Sequence, residues 1–232
     1  MPSDRSLDRL LQEATFFPGL NIRLGGLKAT LDIVEHQLDR ARLSEAVRLR
    51  TKYTSLENDL HPDDKAVDLF NLEQQVLHLL PKTLRGGFLV TLWSVLERSV
   101  HDIAYTAATH AGRTLDKRAF HKPFFSAATT ELYRHAKVEA FPDKNVESFL
   151  KKVQTIRNAL VHHDGRQSEL PEHLSKLTPA ELERHNLYVV HDYDFVYVVP
   201  SEQFMRLATE TVYSYVHDTA ARVFSALVPK DV

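Results

Sequence analysis

The apolar positions of residues 27–60 recur at alternate steps of four and three. Leu27, Leu31, Val34, Leu38 and Ala41 come first; after a slip near residues 42–44 the stripe resumes at Ala46, Leu49, Tyr53, Leu56 and Leu60. Such a period predicts one long helix, or two in succession, ending before His61-Pro62. Upstream, Leu7, Leu10 and Leu11 mark a short amphipathic piece, and Pro18-Gly19 and Gly25-Gly26 read as breakers. Downstream, residues 63–80 form a Leu-rich helix bounded by Pro62 and Pro81. A longer helix follows, with Phe88, Leu92, Val95, Leu96, Val100, Ile103 and Ala104 on its apolar face and Gly112 as its stop. Gly86-Gly87 either weaken its start or permit close helix contact.

Residues 126–141 give a shorter helix, and Pro142-Asp143 then turns the chain. Asn145 is the expected N-cap of the next helix, whose apolar face is Val146, Phe149, Leu150, Val153, Ile156, Leu160 and Val161. Gly165, free to take φ > 0, closes it. Thr178-Pro179-Ala180-Glu181 reads as a capping box with proline at the first helical position. Residues 187–191 and 195–199 alternate as strands joined by Asp192-Tyr193-Asp194 in a hairpin. The last helix opens at Pro200-Ser201 and turns Phe204, Leu207, Ala208, Val212, Tyr215 and Val223 inward. The expected class is mainly α with one short β-hairpin.

Bulk properties narrow the function without naming it. A composition 43% hydrophobic and 26% charged, over 232 residues, is that of a soluble globular chain with a real core. The absence of cysteine removes disulfides, thiolate metal sites and a cysteine nucleophile, and fits a reducing cytoplasm. No apolar run approaches the ~20 residues of a membrane span, and no signal peptide is visible, so a cytoplasmic protein is expected. The net charge of −2 argues against indiscriminate nucleic-acid binding. Residues 134–166 nevertheless hold seven Lys/Arg against four Asp/Glu. Such a patch suits a phosphate backbone; a solvated helix face is the alternative.

Glycine-rich phosphate loops, HExxH and GxSxG are missing, which removes P-loop hydrolysis, zinc proteolysis and α/β-hydrolase chemistry. Among the thirteen histidines, His101, His110, His121 and His135 lack metal-ligand spacing, so neither metal nor cofactor is expected. Tyr188, Tyr193, Phe195 and Tyr197 are either a base-stacking surface or hairpin packing. The residues that ask for chemistry are Arg157 and His162. Arg157 falls within the apolar stripe, where an ever-charged guanidinium needs an anion or carbonyls. RNA can be cut without metal when its 2′-OH attacks the adjacent phosphorus, given a cation for the phosphoryl oxygens and a group titrating near neutrality. Asn158, four residues before His162, can orient the ring or a phosphate, and Lys151 and Lys152 can steer the backbone in. Five residues apart on a helix, Arg157 and His162 point about 140° away from each other. They converge only at a helix end or across a twofold interface. A satisfied interface arginine, with histidines favoured by the helix dipole, is the competing reading. Glu97, one step from the core residue Leu96, is either a partner for Arg157 or a surface carboxylate.

Arg157-Asn158, His162 and Gly165 together resemble the R-polar-x3-H signature of HEPN-domain ribonucleases, here as R-N-x-x-x-H-x-x-G. The order of elements over residues 82–227 is similar too, beginning with a long helix bearing a central glutamate, Glu97. The resemblance implies an N-terminal helical extension at 1–81 and a HEPN-like helical bundle at 82–232. It further implies a homodimer with both motifs in one cleft, and metal-independent endoribonuclease activity leaving a 2′,3′-cyclic phosphate. Arg157 would bind phosphate, His162 would act as acid/base or contact the oxyanion, and Asn158 would position them. Lys151, Lys152, Arg166 and His163 would contact RNA, with Glu97 as support. The spacing also admits His163 as the working histidine. Asp164 stands where the tyrosine of the HxY variant would lie, so regulation by nucleotidylation is not implied. Association with an antitoxin or an anti-phage system is carried over from relatives. A catalytically silent HEPN-like module binding RNA, nucleotide or protein is the alternative.

Overall fold

The computed structural model describes Phe17 and residues 19–55, 62–115, 123–192 and 195–228. The expected residues Leu7, Leu10, Leu11, Pro18, Leu56, Leu60, His61, His121, Tyr193 and Asp194 lie outside them. Helix α1 spans Leu20–Ser55 and α2 Pro62–Leu72; a π-helical segment, Glu73–Leu79, leads directly into α3, Leu80–His110. Then come α4 (Phe124–Ala136), α5 (Lys144–His162), a 3-10 turn at Gln167–Glu169, α6 (Glu172–Ser175) and α7 (Pro179–Arg184). Strands β1 (Leu187–Asp192) and β2 (Phe195–Pro200) pair antiparallel with Leu187 opposite Pro200, and α8 (Glu202–Leu227) ends the fold. The architecture is mainly α with a single two-stranded hairpin among the described residues.

Two compact units make up the chain. The first takes residues 1–28, 92–152 and 208–232, the second residues 29–91 and 153–207. The first is built on aromatics. Trp93 meets Phe124 edge-on at 5.2 Å, Phe125 lies 5.2 Å from Phe141, and Phe141 stacks on Tyr215 at 5.2 Å. Rings in these arrangements gain beyond their buried area. The second unit buries Leu31, Leu38 and Leu49 of α1, Val153, Ile156 and Ala159 of α5, Leu182 of α7 and Val198 and Val199 of β2. Asp68 of α2 accepts from Tyr53 Oη at 3.0 Å and pairs with Lys52.

Several expected boundaries shift, each for a local reason. Gly25-Gly26 do not break α1; both sit exposed inside it, so the burial of Leu20, Leu24 and Leu27 outweighs two glycines' poor propensity. Nor does Pro81 separate two helices. The wider π turn re-routes the bonding ahead of it, with Leu80 N–H reaching Gln75 O, and so eases the missing N–H and the ring clash a proline brings. The fourth helix starts at Phe124 and stops at Ala136, because Lys137 turns left-handed at φ 58. Asp143 rather than Asn145 caps α5, its Oδ1 accepting from Asn145 N–H at 2.8 Å. Val161 and Leu207, both expected inward, are 46% and 43% exposed, while Ala159 takes the inward place beside Ile156. The Gly112 stop and the Thr178/Glu181 capping box stand as read from sequence.

Candidate functional site

Helix α5 carries the motif and remains helical through His162. Arg157 is half-buried. Its NH1 donates to Asn158 Oδ1 at 2.8 Å, and its Nε is shielded from solvent without a hydrogen-bond partner among the described residues. Asn158, expected beside the imidazole or a phosphate, is thus engaged with the arginine. His162 and His163 are exposed at the helix end, their rings 6.4 Å apart. His163 Nδ1 also lies 3.8 Å from Glu169 Oε2.

The chain leaves the helix through two successive left-handed residues, Asp164 at φ 53 and Gly165 at φ 77. Gly165 N–H bonds back to Ala159 O at 2.9 Å, and Gly165 O accepts from Val198 N–H at 2.8 Å. A Cβ added there would meet Leu160 Cδ2 at 3.0 Å and Val198 O at 3.2 Å. Glycine is therefore required for both backbone and space. Arg166 pairs in backbone with Tyr197 and lays its guanidinium over Phe195, 4.2 Å from the ring centre. Its Nε is another buried donor without a partner among the described residues.

The hairpin aromatics divide. Tyr197 is buried, Tyr188 half-buried and Phe195 44% exposed. Burial pushes the Tyr188 hydroxyl above its ordinary value, against the pull of Arg85. Packing accounts for the first two; Phe195 is the more exposed ring, with the Arg166 guanidinium over it.

Lys151 and Lys152 belong to the other compact unit. Lys151 Nζ is held by Glu147 at 2.6 Å and lies 5.4 Å from the Phe125 ring. Burial holds Lys152 below the ordinary lysine value. Glu97 is exposed, and its Oε1 accepts from Trp93 Nε1 at 2.7 Å within the same helix. Among the described residues no three His, Asp or Glu side chains are grouped to hold a metal ion. No helix among the described residues is long and apolar enough to cross a membrane.

Sequence reasoning missed two cations of α3. Lys82 Nζ sits 2.9 Å from Asp164 Oδ2 and 4.0 Å from the centre of the Tyr197 ring. Arg85 donates to both Glu35 oxygens, at 2.9 and 2.7 Å, and to Pro200 O at 3.1 Å. Gly86, beside Arg85, faces Leu160, but an added Cβ would lie 3.9 Å from it, an ordinary contact, and Gly87 meets nothing within 4 Å. Neither glycine is therefore required by close helix packing, and α3 runs through both from Leu80. No spacing rule joins positions so far apart in sequence. No protein-family model, curated protein or solved structure matches the chain.

Proposed function

We propose that the chain is a metal-independent endoribonuclease acting as a homodimer. The 2′-oxygen of the RNA attacks the adjacent phosphorus, and the bond to the 5′-oxygen of the next nucleotide breaks. A base takes the 2′-OH proton and an acid supplies one to the departing oxygen. The products are a 2′,3′-cyclic phosphate and a 5′-hydroxyl. In this reading Arg157 grips the non-bridging oxygens, Asn158 aims the guanidinium, and His162 moves the proton or contacts the developing charge.

The observation that carries the reading is Arg157. Its shielded Nε has no acceptor among the described residues, while NH1 is already held by Asn158. A buried donor left unsatisfied costs about 1–3 kcal/mol, a cost that the guanidinium would shed by turning Nε out to a phosphoryl oxygen. The exposed His162 at the end of the same helix supplies an imidazole that RNA can reach. Because α5 is helical through His162, the two side chains of one copy leave the helix about 140° apart. The reading therefore needs a second copy whose His162 meets the first copy's Arg157. A cytoplasmic setting and an antitoxin or defence-system partner go with it. The same divergence favours the second reading, a non-catalytic module binding RNA, nucleotide or protein.

The test is mixed RNA incubated with purified protein and EDTA, beside Arg157→Ala and His162→Ala. Cleavage that survives chelation, vanishes in both variants and stops on 2′-deoxy substrate is expected. Salt-sensitive binding with no cleavage would replace the first reading by the second.

A further inference from the structure

We propose that Lys82 is a positioning residue for the histidine end of α5, acting through Asp164 rather than on the RNA. The inference rests on the nuclease reading for its catalytic consequence but has a structural readout of its own. All residues concerned lie in one compact unit.

Lys82 sits in the first turn of α3 with its side chain only 10% exposed, whereas its partner Asp164 is 63% exposed. The ammonium is thus withdrawn from solvent, out of reach of a phosphate backbone, with one carboxylate at 2.9 Å and one ring face at 4.0 Å. A desolvated ammonium is costly unless paired, so Lys82 keeps hold of the Asp164 side chain. Geometry rather than raw attraction makes that contact useful, because the carboxylate stays largely in water. Asp164 is the residue through which that hold acts. It is left-handed at φ 53, a conformation aspartate tolerates but does not prefer. It stands one residue after His163 and two after His162. The left-handed pair it forms with Gly165 directs the chain back to Ala159 O and across to Val198 N–H. Tyr197, which covers the Lys82 ammonium, is paired in backbone with Arg166. One cation therefore fixes the start of α3, the turn after the histidines and strand β2. An apolar side chain of similar length would stabilise packing as well. What an apolar side chain cannot supply here is a donor that fixes the Asp164 side-chain oxygen, and with it the turn on which the histidine end of α5 is anchored.

The experiment uses the full chain with Lys82→Met, Asp164→Asn and Asp164→Gly. Three quantities are read: single-turnover cleavage in EDTA, affinity for an uncleavable RNA bearing a 2′-deoxy nucleotide, and the imidazole NMR signals of His162 and His163 with Gly165 amide exchange. Lys82→Met is expected to slow cleavage about tenfold or more with RNA affinity within about twofold, as for loss of an alignment used only in the transition state. Its imidazole signals should move and its Gly165 amide should exchange faster. Asp164→Asn, which still accepts a hydrogen bond and tolerates the left-handed turn, should retain most of the rate. Asp164→Gly keeps the backbone conformation without any side-chain acceptor for Lys82 and should behave as Lys82→Met does. A folded Lys82→Met or Asp164→Gly protein with wild-type imidazole signals and Gly165 protection would overturn the proposal. So would a loss of RNA affinity matching the loss of rate, since Lys82 would then be touching RNA. If Lys82→Met does not fold, the contrast between the two Asp164 variants decides. If the wild-type chain cuts no RNA, the nuclease reading fails while imidazole signals and amide exchange still decide the role of Lys82.

Discussion

Gly165 and Leu160 are packed so closely that one added methyl would stand 3.0 Å from Leu160 Cδ2. Gly165 also holds φ 77. Gly165→Ala combines a left-handed β-carbon with an overfilled contact and is expected to destabilise by about 2–4 kcal/mol. Urea unfolding followed by circular dichroism measures this, and a loss under about 0.5 kcal/mol would show that the turn relaxes freely.

Arg85 and Glu35 form a buried pair, their side chains 4% and 6% exposed. Removing either alone, as in Glu35→Gln or Arg85→Met, strands the other and should cost about 3–5 kcal/mol. Glu35→Leu combined with Arg85→Met should recover much of that loss, because desolvation of both charges disappears with them. Equal losses in the single and double variants would count against this account.

The dimeric site makes a sharper demand. Mixed and re-annealed Arg157→Ala and His162→Ala chains should regain about a quarter of wild-type cleavage. Half of the dimers are then mixed, and each of those has one of its two sites intact. Sites built within one copy would give no recovery. The rate of the mixture against each variant alone is the measurement.

Acid stability carries a contribution from α5. The Lys151 ammonium first, and the Lys144 one with it, hold the Glu147 carboxyl below its ordinary value of 4.5. A carboxyl lowered in the folded state stabilises above its unfolded value, and that stability is lost as pH falls through the folded value. Glu147→Gln should therefore be less stable than wild type at neutral pH, with the gap closing as the pH drops below about 4.5. Thermal melts across pH 2.5–7 would reveal a constant gap if the carboxylate played no part.

Gly25 and Gly26 meet nothing within 4 Å where a Cβ would stand, and both lie exposed in α1. Alanine at either should stabilise by about 0.5–1 kcal/mol, mainly by restricting the unfolded chain. A fall in melting temperature would mean that the glycines serve something other than helix packing.

What the sequence discloses is what its local periods encode. The stripe through Leu27, Leu31 and Leu38, the hairpin and the Thr178 capping box follow from neighbours three, four or two residues apart. Proline at 81 and paired glycines at 25–26 misled, because a breaker in sequence is a cost that burial of the surrounding leucines can outweigh. The phase of a 3.6-residue stripe is also loose by one position, enough to exchange Val161 for Ala159. In the candidate site, Arg157 and His162 stand out by their own neighbours. The engagement of Asn158 with Arg157 instead of the imidazole depends on a side-chain rotamer, and rotamers leave no trace in spacing. Lys82 with Asp164 and Arg85 with Glu35 were invisible for a different reason: each pair is made by folding, across long intervals of chain.

The π segment at Glu73–Leu79 works as a phase adjuster. Each residue of helix advances the chain by about 100°, so deleting one there would rotate α2 by that angle about its axis relative to α3. Asp68 would then swing away from Lys52 and Tyr53, leaving total helix content nearly unchanged. A double-mutant cycle between Lys52 and Asp68, measurable in the parent chain and erased by the deletion, would register that turn of the screw.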